Sequence, residues 1–355
     1  MTLSDTTPRI EYQELDEAVQ ELDEKDKEGL VKDLHGSDEK GIEERVALRV
    51  IHRVASLVDL KAELDAMDPN ETHFYRRALQ KCPMYVTCES FLLSFLRAEE
   101  FHAGNAARRL VAYWKEKYDL FGEDYTFGPI TLESLQDADF RVIKNGGFTI
   151  LPKDEHGRLV LHRDRSAAMV NVNGPEAVLR AFMYLVHDAI ADDDDVQRKG
   201  MVILSASRFE FKMEDHDRNS LQRFFQLLSC LPIRTVSYHI VGDFMTKDFT
   251  ARVMPSIHWL MGSHMSIRHR VHNGVTHQEV KTSLAEYGIT KLPTFLGGDV
   301  ECNGVVWLQE KQRKHKAMTD LKHRYESLPR SSNHTGDKDG LSNSIDLDSI
   351  LTFML

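Results

Sequence analysis

The sequence predicts an α/β fold: a helical N-terminal module followed by an α/β domain on a mostly parallel sheet. Three observations predict it. From about residue 132, short apolar runs of strand character alternate with longer amphipathic stretches, as expected for strands joined by crossover helices. Before that point the apolar residues recur only at helical steps of three and four. The chain has 355 residues, of which 41% are hydrophobic, enough for a substantial core.

Residues 1–45 read as an acidic, partly disordered arm with some helix, in which Leu15, Val19 and Leu22 share one side. The helical module covers 46–122. A firm amphipathic pattern runs through Val46, Val50, Val54, Leu57 and Leu60 and stops at Asp68-Pro69-Asn70. A second helix carries Phe91, Leu92, Phe95 and Leu96, with Thr87 or Ser90 as its cap, and breaks at His102–Asn105. A third carries Ala106, Leu110, Tyr113, Trp114 and Leu120.

The α/β domain spans 128–308. Two strand-like runs, FTILP and RLVLHR, flank a turn at 153–157. Asn173-Gly174-Pro175 opens a helix through Val178, Leu179, Phe182, Leu185 and Val186, with Pro placed in its first turn. The aspartates 192–195 read as a solvated loop at its end. Residues 200–205 form a continuous buried strand, residues 215–230 a helix, and the last helix lies in EVKTSLAEYGI. The remainder, 309–355, reads as a basic and then disordered tail.

The stretch from Val236 to Gly274 organises this domain. Val236, Tyr238 and Ile240 alternate with Ser237, His239 and Val241 in a buried strand. Phe249, Val253, Ile257 and Leu260 then share a helix face, while Met254, Trp259 and Met261 lie off it. A segment apolar nearly all round needs cover on both sides, or moves between a closed seat and a lipid surface. A strand from Ser266 to His272 follows. It places Ser266, Arg268, Arg270 and His272 on one face, with Ile267, His269 and Val271 on the other. An oily helix beside a basic strand face is what a lipid pocket with a lid requires; an ordinary core helix has the same pattern.

Charge excludes several classes. The net charge is −11, and residues 1–46 alone hold fifteen Asp/Glu against six Lys/Arg. No domain-sized basic surface exists, so nucleic acid is not an expected partner. Residues 310–330 reverse the sign, with seven Lys/Arg against three Asp/Glu, and suit either solvent or an anionic membrane. The four cysteines form no CxxC pair, and no apolar run approaches the ~20 residues of a membrane span. Free, mostly buried thiols, a cytoplasmic location and peripheral membrane association are therefore expected. His258, His264, His269, His272 and His277 fit no metal-ligand spacing, and no nucleophile elbow or phosphate loop occurs, so neither a metal nor a catalytic residue is assigned.

Four segments, taken together, resemble the CRAL-TRIO family of lipid-binding and lipid-transfer proteins. They are FLLSFLRAEEFHAGNAARRL (91–110), KDEHGRLVLHR (153–163), LPIRTVSYHIVGD with the helix through Pro255, and LAEYGITKLPTFLGGD (284–299). The resemblance covers about residues 75 to 300. It implies a helical module beside an α/β domain with a large apolar cavity, one bound lipid or lipophile, no enzymatic chemistry and no other cofactor, and a gating helix that opens at a transient membrane surface. The implied lipid-binding or gate residues are Tyr238, Ile240, Phe244, Phe249, Val253, Ile257 and Leu260. Arg268 and Arg270 are the expected headgroup or membrane contacts. Where phosphoinositide-binding members carry a basic pair and an acid, this chain has Glu99, Glu100 and Ile233, a charge pattern that repels a phosphate. The rival reading is a non-transferring regulatory or scaffold module that recruits protein partners through the arm and tail.

Overall fold

The computed structural model describes residues 20, 22–35, 44–168, 173–191, 193–209, 218–241, 257–261, 265–273 and 276–326. Helix α1 (Glu24–His35) belongs to the acidic arm. The module contains α2 (Glu44–Ala66), α3 (His73–Lys81), the single turn α4 (Pro83–Val86), α5 (Glu89–Ala98) and α6 (Ala103–Thr126). Gly122, with φ of 69°, bends α6, a left-handed conformation that favours glycine. Helix α5 starts one residue after Cys88, and neither Thr87 nor Ser90 caps it; Thr87 closes α4 instead. His102 caps α6 by accepting from the Asn105 amide at 3.2 Å. The break expected there is a helix start.

Helix α7 (Asp137–Lys144) carries no expectation from the sequence. Strands β1 (Phe148–Leu151) and β2 (Leu159–Asp164) form the antiparallel hairpin. Helix α8 (Pro175–Ala191) follows, then α9 (Asp194–Lys199), β3 (Met201–Ala206), α10 (Arg218–Cys230) and β4 (Thr235–Val241). The aspartate run is thus not a plain loop. Asp193 accepts from the amides of Asp195 and Val196 and starts α9, as an N-cap does. Strand β5 covers only His269–His272; Ser266 to Arg268 lie in the turn before it, where the Arg268 amide bonds the Met265 carbonyl. Helix α11 (His277–Ala285) opens on a reciprocal cap between Thr276 and Glu279. Helix α12 (Gly304–Glu326) carries the basic segment as regular helix.

The five strands lie in chain order, with β2 to β5 parallel. One extra residue in β4, between the Met201–Thr235 and Val202–Ser237 pairs, turns Val236 away from Tyr238 and Ile240, with which the sequence groups it. Otherwise alternation gives the sheet two apolar faces. On one, Leu159, Leu161, Met201, Ile203, Tyr238 and Ile240 join α8, α10 and the helical module in the main core. On the other, Val160, Val202, Leu204, Val236 and Val241 pack with α11 and the 292–296 turn. Helix α8 is the central element: residues 177–186 are buried without interruption, which is what a helix apolar all round requires. Within it Arg180 meets the fully buried Asp139 of α7 through two hydrogen bonds of 2.9 Å.

The arm helix α1 docks on this domain. Leu30 and Leu34 pack with Ile267, and Asp33 is 2% exposed. All four cysteines are free, but only Cys230 is buried. Among the described residues no helix is long and apolar enough to cross a membrane.

Candidate functional site

Register places the site. Parallel pairing aligns Leu161, Ile203, Tyr238 and His269 in one row, and Arg163, Ser205, Ile240 and Val271 in the next. Both rows face the main core. The first is apolar up to Tyr238; the second brings a guanidinium and a hydroxyl onto the same face.

The helical segment 257–261 packs against these rows. Ile257 and Met261, one turn apart, are 6% and 8% exposed and belong to the main core, and Leu260 is partly buried against it. Trp259 is 69% exposed and lies under the guanidinium of Arg218, 5.0 Å from the ring centre. His258 joins the segment to β5 through a 3.0 Å contact with the His269 ring. Burial and then the neighbouring His258 push the His269 pKa well below its ordinary value.

Tyr238, Ile240 and Ile257 therefore belong to one core, with Leu260 packed against it. Phe244, Phe249 and Val253 lie outside the described residues. Arg268 and Arg270 are elsewhere. Arg268 is 8% exposed and meets Asp33 of α1 at 2.9 Å. Arg270 shares a row with His239 and donates to the carbonyls of Ile267 and His269.

The face beneath α1 is polar. His239 and His272 touch at 2.8 Å, with Ser237 and Ser283 on their outer nitrogens. Burial, followed by His272 and then Arg158, pulls His239 well below its usual range, and burial followed by Arg270 brings His272 down to about 4. Arg234 bridges Asp33 and Glu100, at 2.9 Å and 2.6 Å. Glu99 is held by Arg109, whose guanidinium also reaches the carbonyls of Leu228 and Leu231. The two carboxylates expected to repel a phosphate are thus each neutralised by an arginine. No group of three or more metal-ligating side chains exists among the described residues.

Two site residues carried no expectation from the sequence. Arg163 ends the apolar run of β2, and Arg165 follows it by two. In the sequence they look like the polar close of a strand. The available signal was the spacing of Arg163, which puts it on the sheet face that Leu159 and Leu161 make apolar; Arg165 lies in the turn after the strand.

No family model matches the chain, and no curated protein matches it. Twelve chains of solved structures match. One of them, a crystal structure of Sfh5, aligns with 10% identity and a TM-score of 0.40, over 72% of this chain and 98% of that one. A likeness this loose carries no argument about function, and the α/β assignment rests on the strand order and register given above.

Proposed function

We propose that this protein binds one lipophilic ligand between the core-facing rows of the sheet and the helical segment 257–261, and exchanges it at a membrane surface. The observation that carries this reading is the split character of that segment. Ile257 and Met261 are buried in the main core to which Tyr238 and Ile240 also belong, while Trp259 stands outward. Tryptophan favours the membrane–water boundary, where its ring is half apolar and its N–H stays wet. A lid that opens needs one face to leave a core and another to meet lipid. The reading agrees with the CRAL-TRIO resemblance and needs no enzymatic step. It places the protein in the cytoplasm, at membranes only peripherally.

The scaffold reading draws less support. It needs the acidic arm free for partners, whereas α1 is docked on the protein's own sheet through Asp33, Leu30 and Leu34.

Two substitutions test the proposal. Ile257→Asp puts a charge under the lid and is expected to reduce uptake of a fluorescent lipid at least tenfold. Far-ultraviolet circular dichroism reports whether the variant stays folded. Undiminished uptake in a folded variant contradicts the lid assignment. Trp259→Ala removes only the outward ring; it is expected to leave uptake intact and slow transfer between vesicles severalfold. Unchanged transfer removes the membrane-facing role of Trp259.

A further inference from the structure

The geometry points to an acidic ligand: Arg163 and Arg165 form an oxyanion site that holds the carboxylate or phosphate end of the lipophile. This rests on the proposed function and adds the chemical class of the ligand to it.

Arg158, Arg180 and Arg268 are the arginines drawn furthest into the interior, and each meets a carboxylate, on Asp154, Asp139 and Asp33 respectively. Burying a guanidinium without an anion costs several kcal/mol, on the order of the desolvation of one ion. Arg163 and Arg165 break the pattern. Among the described residues neither meets a carboxylate. Arg163 lies over the Phe224 ring at 4.5 Å and reaches the Tyr238 hydroxyl only at 3.5 Å. Arg165 donates to Ser207 Oγ at 3.0 Å and to the Val241 carbonyl at 3.2 Å. Arg163 Nε and Arg165 Nη1 are buried atoms with no hydrogen-bond partner among the described residues. Ser205 Oγ and His269 Nε2 are in the same condition, in the same two rows of the sheet.

The two guanidinium N–H groups are buried donors without partners and call for an acceptor, best an anionic one, and the hydroxyl of Ser205 can donate to the same acceptor. A guanidinium fork matches the two oxygens of a carboxylate or phosphate. The position also fits. Arg165, Ser207 and the Val241 carbonyl lie at the carboxyl ends of parallel strands, where open α/β sheets take their ligands. Beside it lies the main core, with Phe224, Tyr238, Ile240 and Ile257, which would have to part to take the ligand's hydrocarbon body.

The experiment uses the full chain and displacement of an uncharged fluorescent lipophile. Competitors are palmitate, lysophosphatidate, hexadecanol and methyl palmitate. The expected result is that one of the acids displaces the probe at least tenfold more strongly than the two neutral compounds. Whether palmitate or lysophosphatidate does so tells carboxylate from phosphate. In Arg163→Gln/Arg165→Gln the preference is expected to fall below threefold while the probe still binds, which also shows that the variant is folded. Arg163→Lys, which keeps the charge and loses the fork, is expected to fall between. Equal displacement by acid and neutral compounds overturns the acidic-ligand inference and leaves the proposed function standing. So does an acid preference that survives in the double variant. Failure of the wild-type protein to bind the probe or any competitor overturns both.

Discussion

Replacing Arg158 by alanine is expected to destabilise the protein by about 3–5 kcal/mol and to release the arm helix, because it strips a buried carboxylate of its partner. Arg158 and Asp154 are 3% and fully buried at the side chain. Besides that ion pair, Arg158 donates to the carbonyls of Asp33 and Leu34 in α1 and of Tyr287 after α11. One guanidinium thus closes the turn before β2, anchors α1 and ties in the end of α11. The apolar contact of α1 is small, limited to Leu30 and Leu34 against Ile267 with Leu22 and Tyr287 alongside. Helix α1 has twelve residues and is marginal without tertiary support. Urea unfolding measures the stability loss, and hydrogen exchange over residues 24–35 measures release. Arg158→Lys keeps the charge but loses the fork, so an intermediate loss is expected. A loss below about 1 kcal/mol for the alanine variant, at the level of a surface ion pair, contradicts this account.

Replacing Lys117 by methionine has the opposite sign. Lys117 is fully buried in the helical module, donates to the Gly128 carbonyl, and lies over the rings of Tyr85, Tyr113 and Trp114 at 5.5, 5.8 and 5.1 Å. Burial lowers its pKa from 10.5 to about 7. The neighbouring His187, bonded to the Tyr113 hydroxyl at 3.1 Å, is pushed to about 3 by burial and then by Lys117. Between pH 7 and pH 10.5 the unfolded chain therefore binds the proton that the folded chain has lost. Stability from this group rises as pH rises through that window, and below pH 7 the full penalty applies. At about 1.4 kcal/mol per pH unit the penalty is on the order of 5 kcal/mol, partly offset by the ring contacts. Lys117→Met is expected to stabilise the protein by about 2–4 kcal/mol at pH 6, with the gain falling toward zero near pH 10.5. The measurement is the difference between variant and wild type, which cancels other titrating groups. A difference that does not change with pH contradicts the buried, neutral amine.

The sequence carried the parts of the fold that local pattern encodes. Short apolar runs around a turn mark the β1–β2 hairpin, a continuous apolar run marks β3, alternation marks β4, and Pro175 marks the start of α8. Alternation of strand and helix gave the parallel sheet. Short or polar elements left no such mark: α9 is six residues of DDVQRK, capped by an aspartate that reads as loop. β5 was drawn too long because alternation alone cannot tell a strand from a turn whose arginine is pulled away. Arg268 bonds an aspartate 235 residues earlier in the chain, a contact with no local signature. The same holds for α1, whose docking depends on Arg158, Arg234 and Arg268 converging on one short segment. Of the proposed site, the apolar part, Tyr238, Ile240, Ile257 and Leu260, is legible as pattern, and the structure puts these residues in or against the main core. Arg163 and Arg165 are not legible, because a charge at the end of a strand looks solvent-facing until the sheet and α10 are placed over it.

Native mass spectrometry of the purified full chain, with extraction and identification of what travels with it, tests the central claim most directly. The account predicts one lipid per protein, with an acidic headgroup, lost on replacing Ile257 by aspartate. A protein that purifies empty and takes up no added lipid, acidic or neutral, contradicts it and leaves the α/β domain as a scaffold.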